Sequence, residues 1–378
     1  MSTSSAARPF RVLSLDGGGM RGTYTAAYLN KVAGTFARKR GLEGIDIGKA
    51  FDLIVGTSTG AIIASALAAG IPLSEVVNLY RDHGPDIFPR RLPEGLSFEL
   101  VQDIRKRPRA IGSGADALEK ALEDRLGRVT MGEIWESRGI ALAIAAVEMS
   151  QHRSWVFKTP HLPNSNHRDD HYRLVDVCMA STAAPVYRSM ALLPHPDQPP
   201  DSGYNVFVDG GLWANNPVLI GLIDALEMTE PGREIHILCL GTCPRPAGEQ
   251  IPVDGLDRGL SQWKFGGMAA ALSVDAQEFA YDNMARMLAK HVDRRCEVVR
   301  FPSEKVPAAL IPYLDLDDTS EAAATALINQ ARTDADMTNS KCGDSNSREG
   351  RIICSVFEDA PELAGPGMSP GPATLEEN

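Results

Sequence analysis

The chain has 378 residues, 43% hydrophobic and 23% charged, with a formal net charge of -11. That length and apolar content support a large globular core without a metal or disulfide staple. The acidic balance argues against nucleic acid as a bulk partner, because such binding rests on Lys and Arg neutralising phosphates. Cysteines at positions 178, 239, 243, 296, 342 and 354 show no C-x-x-C spacing and read as reduced thiols of a cytoplasmic protein. The opening MSTSSAARPF has no apolar core and does not read as an export signal.

Residues 10–15 read as a strand, followed by Asp16, three glycines, Met20, Arg21 and Gly22. A helix is expected over 23–39, with apolar spacing at Ala27, Leu29, Val32, Ala33 and Phe36. Residues 51–55 read as a second strand and 59–69 as a small, apolar helix. The stretch 53–71 carries no charge, so a membrane span competes with this reading. Gly56, Thr57, Ser58, Thr59 and Gly60 interrupt it and favour strand, turn and helix. Further strands are expected at 140–149, 155–159, 205–211 and 233–242.

Short apolar strands alternating with helical stretches predict an α/β protein: a three-layer α/β/α fold around a mostly parallel central sheet. Residues 81–110 hold four prolines and the run Arg105-Lys106-Arg107-Pro108-Arg109, and read as a lid insertion. Its cations and Phe88 and Phe98 are candidates for touching an anionic membrane. The expected organisation is a main domain over 10–245, a helical extension packed on it over 246–359, and a disordered Pro/Gly-rich tail over 360–378.

Two chemistries compete for the glycine loop. Gly17, Gly19 and Gly22 satisfy G-x-G-x-x-G, the dinucleotide fingerprint. The acidic strand end that would hold a ribose is missing from the region that follows, and the strand at 51–55 runs into Gly-Thr-Ser instead. The second chemistry starts at Gly56-Thr57-Ser58-Thr59-Gly60. This is G-x-S-x-G between a strand and a helix, the pattern that lifts a serine above a sheet. A loop of Gly17, Gly18 and Gly19 would then offer backbone N–H groups to an oxyanion. Arg21 would stiffen that loop or add positive charge. Asp209 ends the strand NVFV before Gly210-Gly211, where α/β sheets place their sites. A desolvated carboxylate there can take the serine proton. His236 matches the chain order of a triad, but its mid-strand position suits packing.

Asp16-Gly17-Gly18-Gly19-x-Arg21-Gly22, Gly56-x-Ser58-x-Gly60 and Asp209-Gly210-Gly211, in this order, resemble the patatin-like phospholipases. ASTAAPVYR (180–188), Ala214-Asn215-Asn216-Pro217 and LCLGT (238–242) echo the same family. The resemblance implies a Ser-Asp dyad without histidine. Ser58 would be nucleophile, Asp209 base, and Gly17 to Gly19 the oxyanion loop, with Gly22, Gly56, Gly60, Gly210 and Gly211 in support. It implies hydrolysis of fatty-acyl esters in phospholipids, with no metal or cofactor. Residues 160–188 also resemble a bacterial subgroup that includes phage-defence effectors switched on by cyclic oligonucleotides. The implied partners are a phospholipid or membrane surface and a cyclic di- or trinucleotide activator. Arg168, Arg173 and Arg188 are candidate phosphate contacts. The implied location is the cytoplasm, with peripheral action at the inner face of the membrane, and the oligomeric state is left open. Readings from other classes are a nucleotide-binding regulator using the 17–22 loop and a catalytically silent lipid-binding module.

Overall fold

The computed structural model describes residues 8–89, 91, 98–196, 199, 203–243, 251–259, 263, 267–302 and 306–364. Among these, eight strands form one mixed, mostly parallel sheet. They are β1 (Phe10–Leu15), β2 (Leu53–Thr57), β3 (Ala141–Glu148), β4 (Arg153–Lys158), β5 (Ala191–Pro194), β6 (Tyr204–Asp209), β7 (Ile235–Leu240) and β8 (Cys296–Arg300). β3, β2, β1, β7 and β8 run parallel in that order, while β4 and β6 pair antiparallel with β3 and β5 antiparallel with β6.

The helices are α1 (Gly22–Arg40), α2 (Thr59–Ala69), α3 (Leu73–Ile87), α4 (Phe98–Leu126), α5 (Met131–Arg138), α6 (Leu174–Ser181), α7 (Gly211–Ala214), α8 (Val218–Met228), α9 (Gly267–Leu288), α10 (Glu321–Cys342) and α11 (Arg348–Asp359). Alternate residues of each central strand enter different layers. Leu13, Ile54 and Leu142 join a core with α1, α2, α3 and α6. Val12, Leu53 and Ala141 join a second core with α8 and Ala285 of α9. Burial on both faces explains why the central strands read as unbroken apolar runs.

The uncharged stretch 53–71 is β2 followed by α2, and no described helix is long and apolar enough to cross a membrane. Residues 81–110 do not form a separate flap where they are described: they fall in the end of α3 and the first half of α4. Residues 90 and 92–97 of that stretch lie outside the described residues. The region after 245 is more than a helical extension, since β8 extends the central sheet from β7. α10 lies along α1, with Tyr24 donating to Asp334 (2.6 Å) and Tyr28 bonded to Thr338 (2.7 Å). At the tail, Pro361 accepts from the Asp46 amide and Leu363 donates to Gly44, so those residues are bonded to the core. Residues 365–378 lie outside the described residues.

One feature of the register positions the site. β4 occupies one edge of β3. The other edge is shared: β2 pairs with it as far as Thr57↔Ala145, and β6 takes over at Asp209↔Ala146. β2 is parallel to β3 and β6 antiparallel, so the C-terminal ends of β2 and β6 meet head-on. Their next residues are Ser58 and Gly210.

Candidate active site

Ser58 lies between β2 and α2 with φ 54 and ψ -123, an uncommon conformation for a residue with a Cβ. Two close approaches hold the turn. A Cβ on Gly56 would lie 2.5 Å from the Gly60 carbonyl oxygen, and one on Gly60 would lie 2.2 Å from the Leu15 carbonyl oxygen. Neither position has room for a side chain, so α2 begins directly against the backbone of β1. The Ser58 amide donates to Ser181 Oγ (2.8 Å), and Ser181 Oγ donates to the Ala145 carbonyl (2.7 Å). Thr57 Oγ1 donates to the Ala214 carbonyl (2.6 Å), and the Thr59 hydroxyl bonds that of Tyr80. The Ser58 side chain therefore stands on a turn fixed from both sides at the positive end of α2.

Ser58 Oγ donates to Asp209 Oδ2 at 2.7 Å, and the Gly211 amide donates to Asp209 Oδ1 at 2.7 Å. The Asp209 amide donates to the Ala183 carbonyl (3.0 Å). A Cβ on Gly210 would lie 2.3 Å from the Ala145 carbonyl oxygen, which explains the glycine after the acid. Ser58 is 8% exposed and Asp209 6%. Burial pushes the Asp209 carboxyl up to about 6, against the opposing hydrogen bonds from Ser58 and Gly211 and the charge of Arg188. A carboxylate so placed can accept the Ser58 proton near neutral pH.

The glycine loop runs beside the serine: a Cβ on Gly17 would lie 3.2 Å from Ser58 Cβ. The Gly17 amide, expected to face an oxyanion, instead donates to the Asn215 carbonyl (2.9 Å) and anchors the loop. The Gly18 and Gly19 amides have no partner among the described residues. Arg21 is buried and its Nε donates to the Gly18 carbonyl (3.4 Å), so it stiffens the loop. Gly22 starts α1 where a Cβ would lie 1.9 Å from Thr59 Oγ1. Asp16, at the end of β1, pairs with Arg300 of β8 at 2.7 Å, and Arg300 also pairs with Asp282 of α9 at 2.6 Å.

His236 is far from this centre. It pairs in register with Arg11 at the other end of the sheet, six residues below the level of Ser58, or about 20 Å at a strand's rise. Its Nε2 bonds Glu234 (2.9 Å). The three arginines expected to gather phosphate do not converge. Arg173 is held by Asp176 (2.7 Å) and Glu123 (2.9 Å), while Arg168 is held by Asp169 (3.0 Å) over the Trp155 ring. The basic run also breaks up, since Arg107 is buried and donates to the Arg91 carbonyl, and Phe88 packs on the core. The Phe98 and Arg105 side chains lie outside the described residues.

Sequence reasoning passes over Ser181 and Gln277, and it names Arg188 only as a contact for an activator's phosphate. Ser181 holds the Ser58 amide from the last turn of α6. Arg188 is buried near Asp209. Gln277 of α9 accepts from the Asn215 amide (3.0 Å) and donates to the Gly211 carbonyl (3.3 Å). Ser181 and Arg188 both lie in the ASTAAPVYR echo, whereas Gln277 carries no local signal.

The family model described as patatin-like phospholipase matches residues 13–222. The chain is 36% identical over 284 residues to a cGAMP-activated phospholipase of Pseudomonas aeruginosa, covering 73% of this chain and 74% of that protein. A cGAMP-activated phospholipase of Vibrio cholerae is 30% identical over 335 residues, 85% of this chain and 89% of that protein. A cUMP-AMP-activated phospholipase of Escherichia coli is 27% identical over 240 residues, 61% and 64% of the respective chains. The matched span holds the glycine loop, the Ser58 turn and Asp209 together, and on these findings the chain belongs to the patatin-like phospholipases.

Proposed function

We propose that Ser58 and Asp209 hydrolyse a fatty-acyl ester of a phospholipid in two steps. Asp209 takes the Ser58 proton as Oγ attacks the ester carbonyl carbon. The Gly18 and Gly19 amides receive the resulting oxyanion. Collapse breaks the bond to the leaving alkoxide, which takes the proton back from Asp209 and departs as a lysophospholipid. Water then attacks the acyl-Ser58 ester, losing its proton to Asp209, and Ser58 leaves reprotonated as the fatty acid is released. The hydrogen bond from Ser58 Oγ to Asp209 Oδ2 at 2.7 Å carries this reading.

The second part of the reading is control by a cyclic dinucleotide at a membrane surface. It is supported by relatives named for activation by cGAMP or cUMP-AMP. Near-complete burial of Ser58 and Asp209 also suits a site that opens on demand. A nucleotide-binding role for the 17–22 loop is disfavoured because β2, the next strand, ends at Thr57 and runs into Ser58, not into the acid that would hold a ribose.

The test is fatty-acid release from phospholipid vesicles with and without cGAMP. Release that rises with cGAMP and is absent in Ser58→Ala is the expected result. Equal release by Ser58→Ala would overturn the dyad. Full release without any cyclic dinucleotide, unchanged on adding one, would overturn the control while leaving the hydrolase reading.

A further inference from the structure

Arg188 sits in the turn that joins α6 to β5, and this turn is wired to both members of the dyad. Ser181 at its start accepts from the Ser58 amide, Ala183 accepts from the Asp209 amide, and the Arg188 amide donates to Ala184 (2.9 Å). The Arg188 side chain is 6% exposed, yet its Nε and Nη1 have no hydrogen-bond partner. It forms no ion pair among the described residues. Asp209 acts on it by charge, while the two hydrogen bonds of that carboxylate come from Ser58 and Gly211. Asp209 and the Tyr80 hydroxyl both feel the charge of Arg188, and Tyr80 is itself bonded to Thr59, the residue after Ser58. Burial lowers its pKa only to about 10, so it stays a cation at neutral pH.

The charge of Asp209 offsets part of the cost of burying this cation, but the hydrogen bonds of its Nε and Nη1 stay unmade. An anion arriving with the substrate would accept them. A carboxylic ester is neutral, and so is the acyl chain, so within a phospholipid the anion is the phosphodiester. We infer that Arg188 is the specificity-determining residue of this site, donating to the phosphate of the lipid whose acyl ester lies at Ser58. This rests on the phospholipase reading of the site. The same donors would also accept a free phosphate or the phosphates of a cyclic dinucleotide, and the experiment separates these sources.

Hydrolysis is followed at pH 8, where Asp209 is ionised, with saturating cGAMP. The substrates are phosphatidylglycerol, diacylglycerol of the same acyl chains in the same mixed micelles, and p-nitrophenyl butyrate. Wild type should prefer phosphatidylglycerol to diacylglycerol. Arg188→Gln should lose about ten- to hundredfold in kcat/KM on phosphatidylglycerol, the worth of a charged hydrogen bond. Its loss on the two neutral esters should be several-fold smaller, so that the preference itself falls, and its half-saturating cGAMP concentration should not move. Arg188→Lys should restore part of the preference, and inorganic phosphate should inhibit wild type competitively. An equal loss on all three substrates would make Arg188 a support for Asp209 and overturn the inference. So would a raised cGAMP requirement with the preference intact, which would move the phosphate contact to the activator. Should Arg188→Gln fail to fold, Arg188→Lys and wild type decide: no wild-type preference, or no inhibition by phosphate, refutes it. If wild type cleaves none of the three esters, the dyad reading itself fails.

Discussion

Acidification probes the dyad through a single proton. Burial lifts the Asp209 carboxyl from 3.8 to about 6. A base must be ionised to take the Ser58 proton, so kcat/KM on a soluble ester follows the ionised fraction. That fraction is roughly nine-tenths at pH 7 and one-tenth at pH 5, with a tenfold fall per further unit. Stability moves the other way. The folded pKa lies above the unfolded one, so folding tightens proton binding, and this group adds stability as pH falls from about 6 towards 3.8. The shift of two units corresponds to about 3 kcal/mol. Activity should therefore fall about tenfold between pH 7 and 5 with the near-ultraviolet circular dichroism unchanged. Asp16 titrates in the same window, lifted by burial to about 7 although Arg300 opposes it. It makes no bond to Ser58, so Asp16→Asn should keep the acid limb where it was. A profile flat to pH 4.5, or a limb that disappears in Asp16→Asn, would refute the assignment of the base.

Asp209→Asn should cost about a hundred- to ten-thousandfold in fatty-acid release, since an amide cannot take the proton. His236→Ala, at the far end of the sheet, should keep its rate; the reverse pattern would point to a histidine base. Gly60→Ala should lower stability by about 3 kcal/mol or fail to fold, because its Cβ would lie 2.2 Å from the Leu15 carbonyl and 2.8 Å from that of Asp16. Gly112→Ala, in α4 with nothing within 4 Å of its Cβ, is the control and should be neutral or stabilising in thermal unfolding. A Gly60→Ala protein as stable as wild type would show that the turn tolerates a side chain.

The residues at the site were legible because each needs a local signature. Ser58 needs glycines two residues away on both sides, and Asp209 needs Gly210 and Gly211. The central strands were legible because sheets buried on both faces demand unbroken apolar runs. α3 and α4 were read as an irregular lid because Pro85 and Pro108 stand inside them. A proline removes one backbone donor, and sequence reading treats that as a break. Here burial of Leu79, Tyr80 and Ile87 on one side and Leu118 and Leu122 on the other outweighs it. β8 was missed because CEVVR is short and half charged, and its pairing with β7 depends on chain sixty residues away. Arg188 was seen as a charge but not as a buried one, since burial is decided by the turn and not by its neighbours in sequence.

In the proposed dyad, the shared edge of β3 is what brings a carboxylate to the serine. Ser58 and Asp209 are 151 residues apart in sequence, yet backbone pairing to Ala145 and Ala146 sets them at adjacent levels. Delivering the base on a strand end leaves it short, rigid and desolvated. Desolvation brings its pKa to about 6, close to the 6.5 of an unperturbed imidazole. On the proposed mechanism, burial thus gives an aspartate the basicity that a triad takes from histidine. The same stretch that bonds Asp209 through the Gly211 amide also bonds Gly17 through the Asn215 carbonyl, and Gln277 of α9 grips both Gly211 and Asn215. Base, oxyanion loop and α9 are therefore linked through residues 211–215, and a displacement of α9 must be felt at both catalytic elements at once.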